Sequence, residues 1–138
     1  MNVFVARQPI FNRNLKIFGY ELLFRDGISD TFPDIDGQTA TSRVLANSFL
    51  DIGINHLTQG KRAFINFPQQ LIIEKIPTLF RFEKLMVEIL EDVDINEKFI
   101  NSCKDLVDAD YEIVLDDFVF KKELQPLIDL ATIIKIDF

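Results

Sequence analysis

Glu112-Ile113-Val114-Leu115-Asp116-Asp117 joins an uninterrupted apolar run to two adjacent carboxylates. A short run that is apolar at successive positions reads as a strand buried on both faces, the environment of a parallel sheet. The polar break then falls at the C-terminal end of that strand. Ala63-Phe64-Ile65-Asn66 repeats the arrangement with an amide in place of the acids. Taken singly, such a residue reads as the start of a solvated loop. Repeated from strand to strand, it points to the edge where barrels and open α/β sheets bind ligands.

Outward from these runs the chain alternates. Strand candidates at 62–67, 85–90, 112–116 and 133–138 are separated by helical stretches near 68–74, 96–108 and 121–130. Alternation favours a parallel sheet, because each crossover has to travel back along the sheet and usually does so as a helix. Upstream, strand candidates at 3–7 and 15–24 flank the turn-forming Phe11-Asn12-Arg13-Asn14 and predict a hairpin. Over 36–52 the period becomes helical, with Val44, Leu45, Phe49 and Ile52 on one face, Asp36 or Thr39 at its start and Gly53 at its end. The fold class expected is α/β: an incomplete TIM-type (β/α) barrel that begins with a β-hairpin and continues with alternating helices and mostly parallel strands. A complete barrel takes about 250 residues, and about six strands are found here, so residues 1–138 read as the N-terminal part of a domain, truncated before barrel closure.

Composition narrows the function classes. A hydrophobic content of 48% supports a packed core rather than disorder, and 14 Phe with no Trp fits apolar layers free of polar atoms. A net charge of −7 argues against binding polymeric nucleic acid, which is held by neutralising phosphates with Lys and Arg. A small phosphorylated ligand stays compatible, since a divalent cation reverses the local sign of an acidic pocket. No apolar run is long enough to span a bilayer, and Met1-Asn2-Val3 opens no signal peptide, so a cytoplasmic location is the simplest reading. Cys103, the only cysteine, falls in an amphipathic pattern with Phe99, Ile100 and Leu106 and reads as a packing residue rather than a nucleophile. The solitary His56 reads as a loop or helix-end residue rather than a zinc ligand.

The residues at the strand ends carry the chemistry. Glu21, Asn66, Glu88, Asp116 and Asp117 all offer oxygen, the donor that hard divalent cations need. Asp116 and Asp117 can both turn to one site only where a strand bends or ends. Glu88 sits in an apolar strand, where an unpaired carboxylate is costly, and this favours a site role. Glu91 has two readings of equal weight: it anchors the loop after the strand, or Glu91-Asp92 forms the acidic start of the next helix. Lys135, between Ile134 and Ile136, is either a solvated edge residue or an inward cation among the carboxylates. Arg25 shares the parity of Glu21, and its guanidinium suits phosphate.

Together these residues resemble the EAL domains, bacterial phosphodiesterases that cleave cyclic dimeric GMP. Gln8-Pro9-Ile10 and Gly19-Tyr20-Glu21-Leu22-Leu23-Phe24-Arg25 are similar to the family's opening, with Leu22 where the signature has alanine. Phe64-Ile65-Asn66-Phe67, Val87-Glu88-Ile89-Leu90-Glu91, Asp116-Asp117-Phe118 and Ile134-Lys135-Ile136-Asp137 continue the likeness in order. The opening Val5-Ala6-Arg7-Gln8-Pro9-Ile10-Phe11 resembles the divergent branch whose EAL domain is followed by an HDOD domain, a partner domain the resemblance implies for the longer protein. It further implies Mg²⁺ or Mn²⁺ held by Glu21, Asn66, Glu88 and Asp116, with Asp117 at a second metal position. Lys135 would orient the attacking water, and Gln8 and Arg25 would contact the nucleotide. Active members continue after the paired aspartates with a Gly-Thr-Gly loop, whereas Val119-Phe120-Lys121-Lys122 stands here, and the later family glutamates fall beyond Phe138. On sequence, then, a degenerate signalling module that binds nucleotide or a protein partner is favoured. The alternative is a metal-dependent phosphodiesterase in the longer protein.

A strand at 133–138 with no following neighbour would expose a row of backbone donors and acceptors. The isolated chain is therefore expected to self-associate through the open barrel edge. Light scattering should give a mass above that of one chain, and a stable monomer would refute the expectation.

Overall fold

The computed structural model describes residues 4–25, 53–116 and 119–136, with the side chains of Phe4, Phe24 and Arg25 excepted. The hairpin is present as β1 (Phe4–Phe11) and β2 (Ile17–Arg25), paired antiparallel with Gln8 opposite Glu21. Its turn is organised by Asn12, whose Oδ1 accepts the backbone N–H groups of Asn14 at 2.9 Å and Lys16 at 3.1 Å. β1 runs past the expected end at Arg7, because Pro9 is tolerated on a strand with only one neighbour, where no second ladder asks for its missing N–H.

The chain resumes with α1 (Ile54–Thr58), β3 (Arg62–Asn66), α2 (Gln69–Ile73), β4 (Leu85–Leu90), α3 (Glu97–Asp108), β5 (Glu112–Asp116), α4 (Gln125–Leu130) and β6 (Ala131–Ile134). The six strands form one sheet in chain order, parallel from β2 onward. This is the α/β partial barrel expected. The helix expected over 36–52 lies outside the described residues. Gly53 takes φ +111, a backbone state open to glycine, directly before α1, and His56 lies in that helix's last turn. α1 and the 3₁₀ turns at Ile76–Leu79 and Phe82–Lys84 have no counterpart in the sequence reading, being too short to show a helical period. Among the described residues no helix is long and apolar enough to cross a membrane.

One strand is corrected. β6 occupies Ala131–Ile134 rather than 133–138, because α4 ends at Leu130 and passes into the strand with no loop between them. Lys135 therefore lies one residue past the strand, its backbone N–H donating to Leu115 O at 2.8 Å. The register slips between Ile113 and Val114, which pair with Ala131 and Ile133 respectively, so β6 uses one residue more than β5 there. As a result Ala131 packs on the helix side of the sheet and Ile133 on the other side.

Strand alternation divides the core in two. Ala63, Ile65, Leu85, Val87, Ile89, Ile113 and Leu115 meet Leu71, Ile72, Phe99, Cys103, Leu106 and Leu127 on the helix face. Phe64, Met86 and Val114, with Ile10 and Ile133, pack on the inner face. Both faces are covered, which is why the middle of β3 and β5 and most of β4 are apolar at successive positions. In α3 the Asn96 side chain caps the start, accepting the Phe99 N–H at 2.9 Å, and Phe99, Cys103 and Leu106 point inward. Burial pushes the Cys103 thiol up to about 12, in keeping with a packing role.

Gly19 fixes how closely β2 and β3 approach on the inner face. A Cβ there would lie 2.8 Å from Arg62 O and 2.8 Å from the Phe64 ring. The first of these is backbone and cannot give way. Gly19→Ala should lower stability by about 1–3 kcal/mol in urea unfolding, the range of overpacking substitutions. A loss below about 0.5 kcal/mol would show that the ring and strand relax freely.

Candidate metal centre at the carboxyl ends of the strands

Alternation delivers Glu21 from β2, Glu88 from β4 and Asp116 from β5 to one place, where one carboxylate oxygen of each lies within 4.8 Å of the others. Glu88 has the parity of Met86, which sets it on the inner face, and it is fully buried. Asn66, at the end of β3, pairs in register with Glu88 and is 4% exposed. Lower on the same face Arg62 pairs with Glu112.

Lys135 enters the cluster from beyond β6. Its Nζ donates to Glu21 Oε2 at 2.7 Å and to Glu88 Oε1 at 2.7 Å, and it stands 5.6 Å from the centre of the Phe64 ring. Of the two placements the sequence leaves open for this lysine, the inward one is observed. Burial pushes the Glu88 carboxyl up to about 7, and the charge of Glu21 and more weakly that of Asp116 push the same way, against the pull of Lys135. Burial alone would lower the Lys135 ammonium, but the charge of Glu88 and the bonds to both glutamates outweigh it and hold Lys135 above its ordinary value. The two shifts are consistent. Glu21 and Glu88 share the Lys135 ammonium, so Lys135 stays charged while Glu88, the more buried acid, holds its proton more tightly.

The donor set fits a hard divalent cation. Glu88 Oε2 and Asn66 Oδ1 are buried with no hydrogen-bond partner among the described residues. Buried oxygens are nearly always satisfied, and a pair of orphans beside a carboxylate cluster is what a cation ligand set looks like without its ion. Glu21, Asn66, Glu88 and Asp116 are the residues that would hold it.

The remaining sequence candidates fall around this centre. Gln8 is exposed on β1, directly opposite Glu21. Arg25 ends β2, and its side chain lies outside the description, as does all of Asp117. Glu91 is exposed in the turn after β4, with no side-chain hydrogen bond to a described residue. Its helix-start reading is corrected: Asn96 caps α3 and Glu97 supplies the acid of the first turn. Sequence reasoning missed the supporting pair Gly19 and Phe64. A glycine inside a strand pattern was the available signal, since it marks close approach of another group. A separate cavity of about 520 Å³, lined by Arg7, Asn55, His56, Leu57 and Gln59, shares no residue with the carboxylates.

No family model matches the chain. It is 44% identical over 143 residues to the uncharacterized protein YuxH of Bacillus subtilis, covering 100% of this chain and 35% of that one. It is 38% identical over 135 residues to the cyclic di-GMP phosphodiesterase CdgJ of Vibrio cholerae, covering 97% and 31%. The chain thus spans about a third of the length of the curated relatives it matches. Among solved structures, a standalone EAL protein of Vibrio cholerae O395 in its c-di-GMP bound form superimposes with a TM-score of 0.65 at 20% identity, over 99% of this chain and 66% of that one. The manganese and cyclic-di-GMP complex of Klebsiella pneumoniae BlrP1 gives 0.58 at 16% identity, over 99% and 44%.

The raised Glu88 carboxyl sets a pH dependence. An acid whose value rises from 4.5 to about 7 on folding binds its proton more tightly in the native state. The stability it contributes is present below the unfolded value and is lost as pH climbs through the folded one. In EDTA, stability should fall by on the order of 2 kcal/mol between about pH 4.5 and 7. Glu88→Gln should flatten that segment of the urea-derived profile, and equal slopes in both proteins would contradict the assignment.

Proposed function

The chain has the fold of a partial EAL domain, and on that premise we propose that residues 1–138 form the first part of a cyclic dimeric GMP signalling domain that hydrolyses the dinucleotide with a divalent cation. The observation that carries this reading is the convergence of Glu21, Glu88 and Asp116 beside the two unpartnered oxygens of Asn66 and Glu88. A degenerate site would have no reason to keep buried, unsatisfied acceptors. Support comes also from a 38% identical relative named a cyclic di-GMP phosphodiesterase and from a manganese complex of the same fold.

In this reading Glu21, Asn66, Glu88 and Asp116 hold Mg²⁺ or Mn²⁺, and Asp117 serves a second position. The bound cation would supply a water of lowered pKa and neutralise charge on the phosphoryl oxygens. The Lys135 ammonium, which donates to Glu21 and Glu88, has three N–H donors and in this reading would turn one of them to a water or a phosphoryl oxygen. In this reading Gln8, opposite Glu21 on the adjacent strand, and Arg25, four residues further along β2, would contact the nucleotide. A linear dinucleotide is the product.

A second reading, binding without turnover, is favoured by one observation. Val119 and Phe120 are 68% and 69% exposed just after the paired aspartates, where the resemblance calls for a Gly-Thr-Gly loop. Neither can adopt positive φ cheaply. A nucleotide receptor that signals to a protein partner, or to an HDOD domain in the same chain, would tolerate such a loop.

Hydrolysis of cyclic dimeric GMP by the longer protein that contains this chain separates the readings. Turnover that requires Mg²⁺ or Mn²⁺ and drops by roughly a hundredfold or more in Glu21→Ala is expected, beyond the usual effect of an outer-shell change. Dinucleotide binding without turnover would favour the receptor, and neither outcome would count against both.

A further inference from the structure

Resting on the metal-site reading above, we infer that Lys135 is an internal competitor for the cation: its ammonium braces Glu21 and Glu88 in the metal-free protein and releases at least one of them when a divalent ion binds. The ammonium sits at 2.7 Å from one oxygen of each glutamate and so fills the space between them. A Mg²⁺ or Mn²⁺ bonded to those same oxygens at roughly 2.0–2.2 Å would lie almost in contact with Nζ, where two positive charges repel strongly. The two cannot share that same pair of oxygens.

The site is built for exchange rather than collapse. Glu88 Oε2 and Asn66 Oδ1 take no part in the lysine's bonds and give an incoming ion its first ligands. The backbone of Lys135 is pinned by its N–H to Leu115 O at 2.8 Å, so only the four-carbon stem has to move. The Phe64 ring, 5.6 Å from Nζ, offers the displaced ammonium a face on which to rest. Gly19 leaves the room that this ring occupies. Lysine release and ion binding are then one event, and the lysine lowers metal affinity while keeping the acids apart from each other.

Calorimetric titration of Mn²⁺ into the metal-free protein at pH 8 tests this. Lys135→Met, similar in length but neutral, should bind about tenfold more tightly than the wild type, and Lys135→Arg should stay within about threefold of it. Equal or weaker binding by Lys135→Met would overturn the competition and leave the metal site standing, with the ion held by the other oxygens. Absence of Mn²⁺ binding in wild type and variants would overturn both. Should Lys135→Met fail to fold, the wild-type ammonium resonance of Lys135 followed by ¹⁵N NMR decides. A shift toward free-lysine values at saturating Mg²⁺ supports displacement, and an unchanged signal refutes it.

Discussion

The parallel pairing of β2 through β5 constrains everything else. Such strands satisfy their backbones only through each other and are covered on both faces, so each position is committed either to the helices or to the inner face. Polar side chains fit the inner face toward its two ends, Arg62 with Glu112 at the start of the strands and the oxygen donors toward the carboxyl ends, where that face opens. Glu21, Asn66, Glu88 and Asp116 are gathered there by alternation alone, from parts of the chain far apart in sequence. Removing the alternation at any one strand would bury its acid among the helices, where no partner waits.

Charge balance at that opening is the second constraint. Full burial makes the Glu88 carboxylate expensive, and among the described residues it shares the Lys135 ammonium with Glu21, so the cost is only partly met. The cluster therefore stores electrostatic stress in the ion-free fold. That stress separates a ligand site from a structural salt bridge, such as Arg62 with Glu112 on the same face, where one cation meets one anion and both keep contact with solvent.

Much of this was legible in the sequence. β4 and β5 have the predicted limits because an apolar run bounded by polar residues leaves little freedom in where a strand stops. Asn96 and the periodic Phe99, Cys103 and Leu106 marked α3 equally well. β6 was misplaced, since Ala131-Thr132 reads as a helix end as readily as a strand start, and only pairing with Ile113 decides. The oxygen donors could be named from their positions at strand ends. The apolar strand around Glu88 marked that acid, whereas which oxygens would be left unpartnered depended on packing across strands and had no local signature.

The register slip between β5 and β6 carries a consequence of another kind. Ala131 and Ile133, two residues apart, point to opposite faces because of it, and Lys135 inherits the phase of Ile133. A single irregularity in a hydrogen-bond ladder thus sets the sign of the charge delivered to the opening. In an unbroken ladder the same lysine would face the helices, and the acids would meet with no cation between them. Length at this point is an electrostatic variable, so a one-residue deletion in β6 acts on the centre as neutralising Lys135 would, with every acidic side chain still in place.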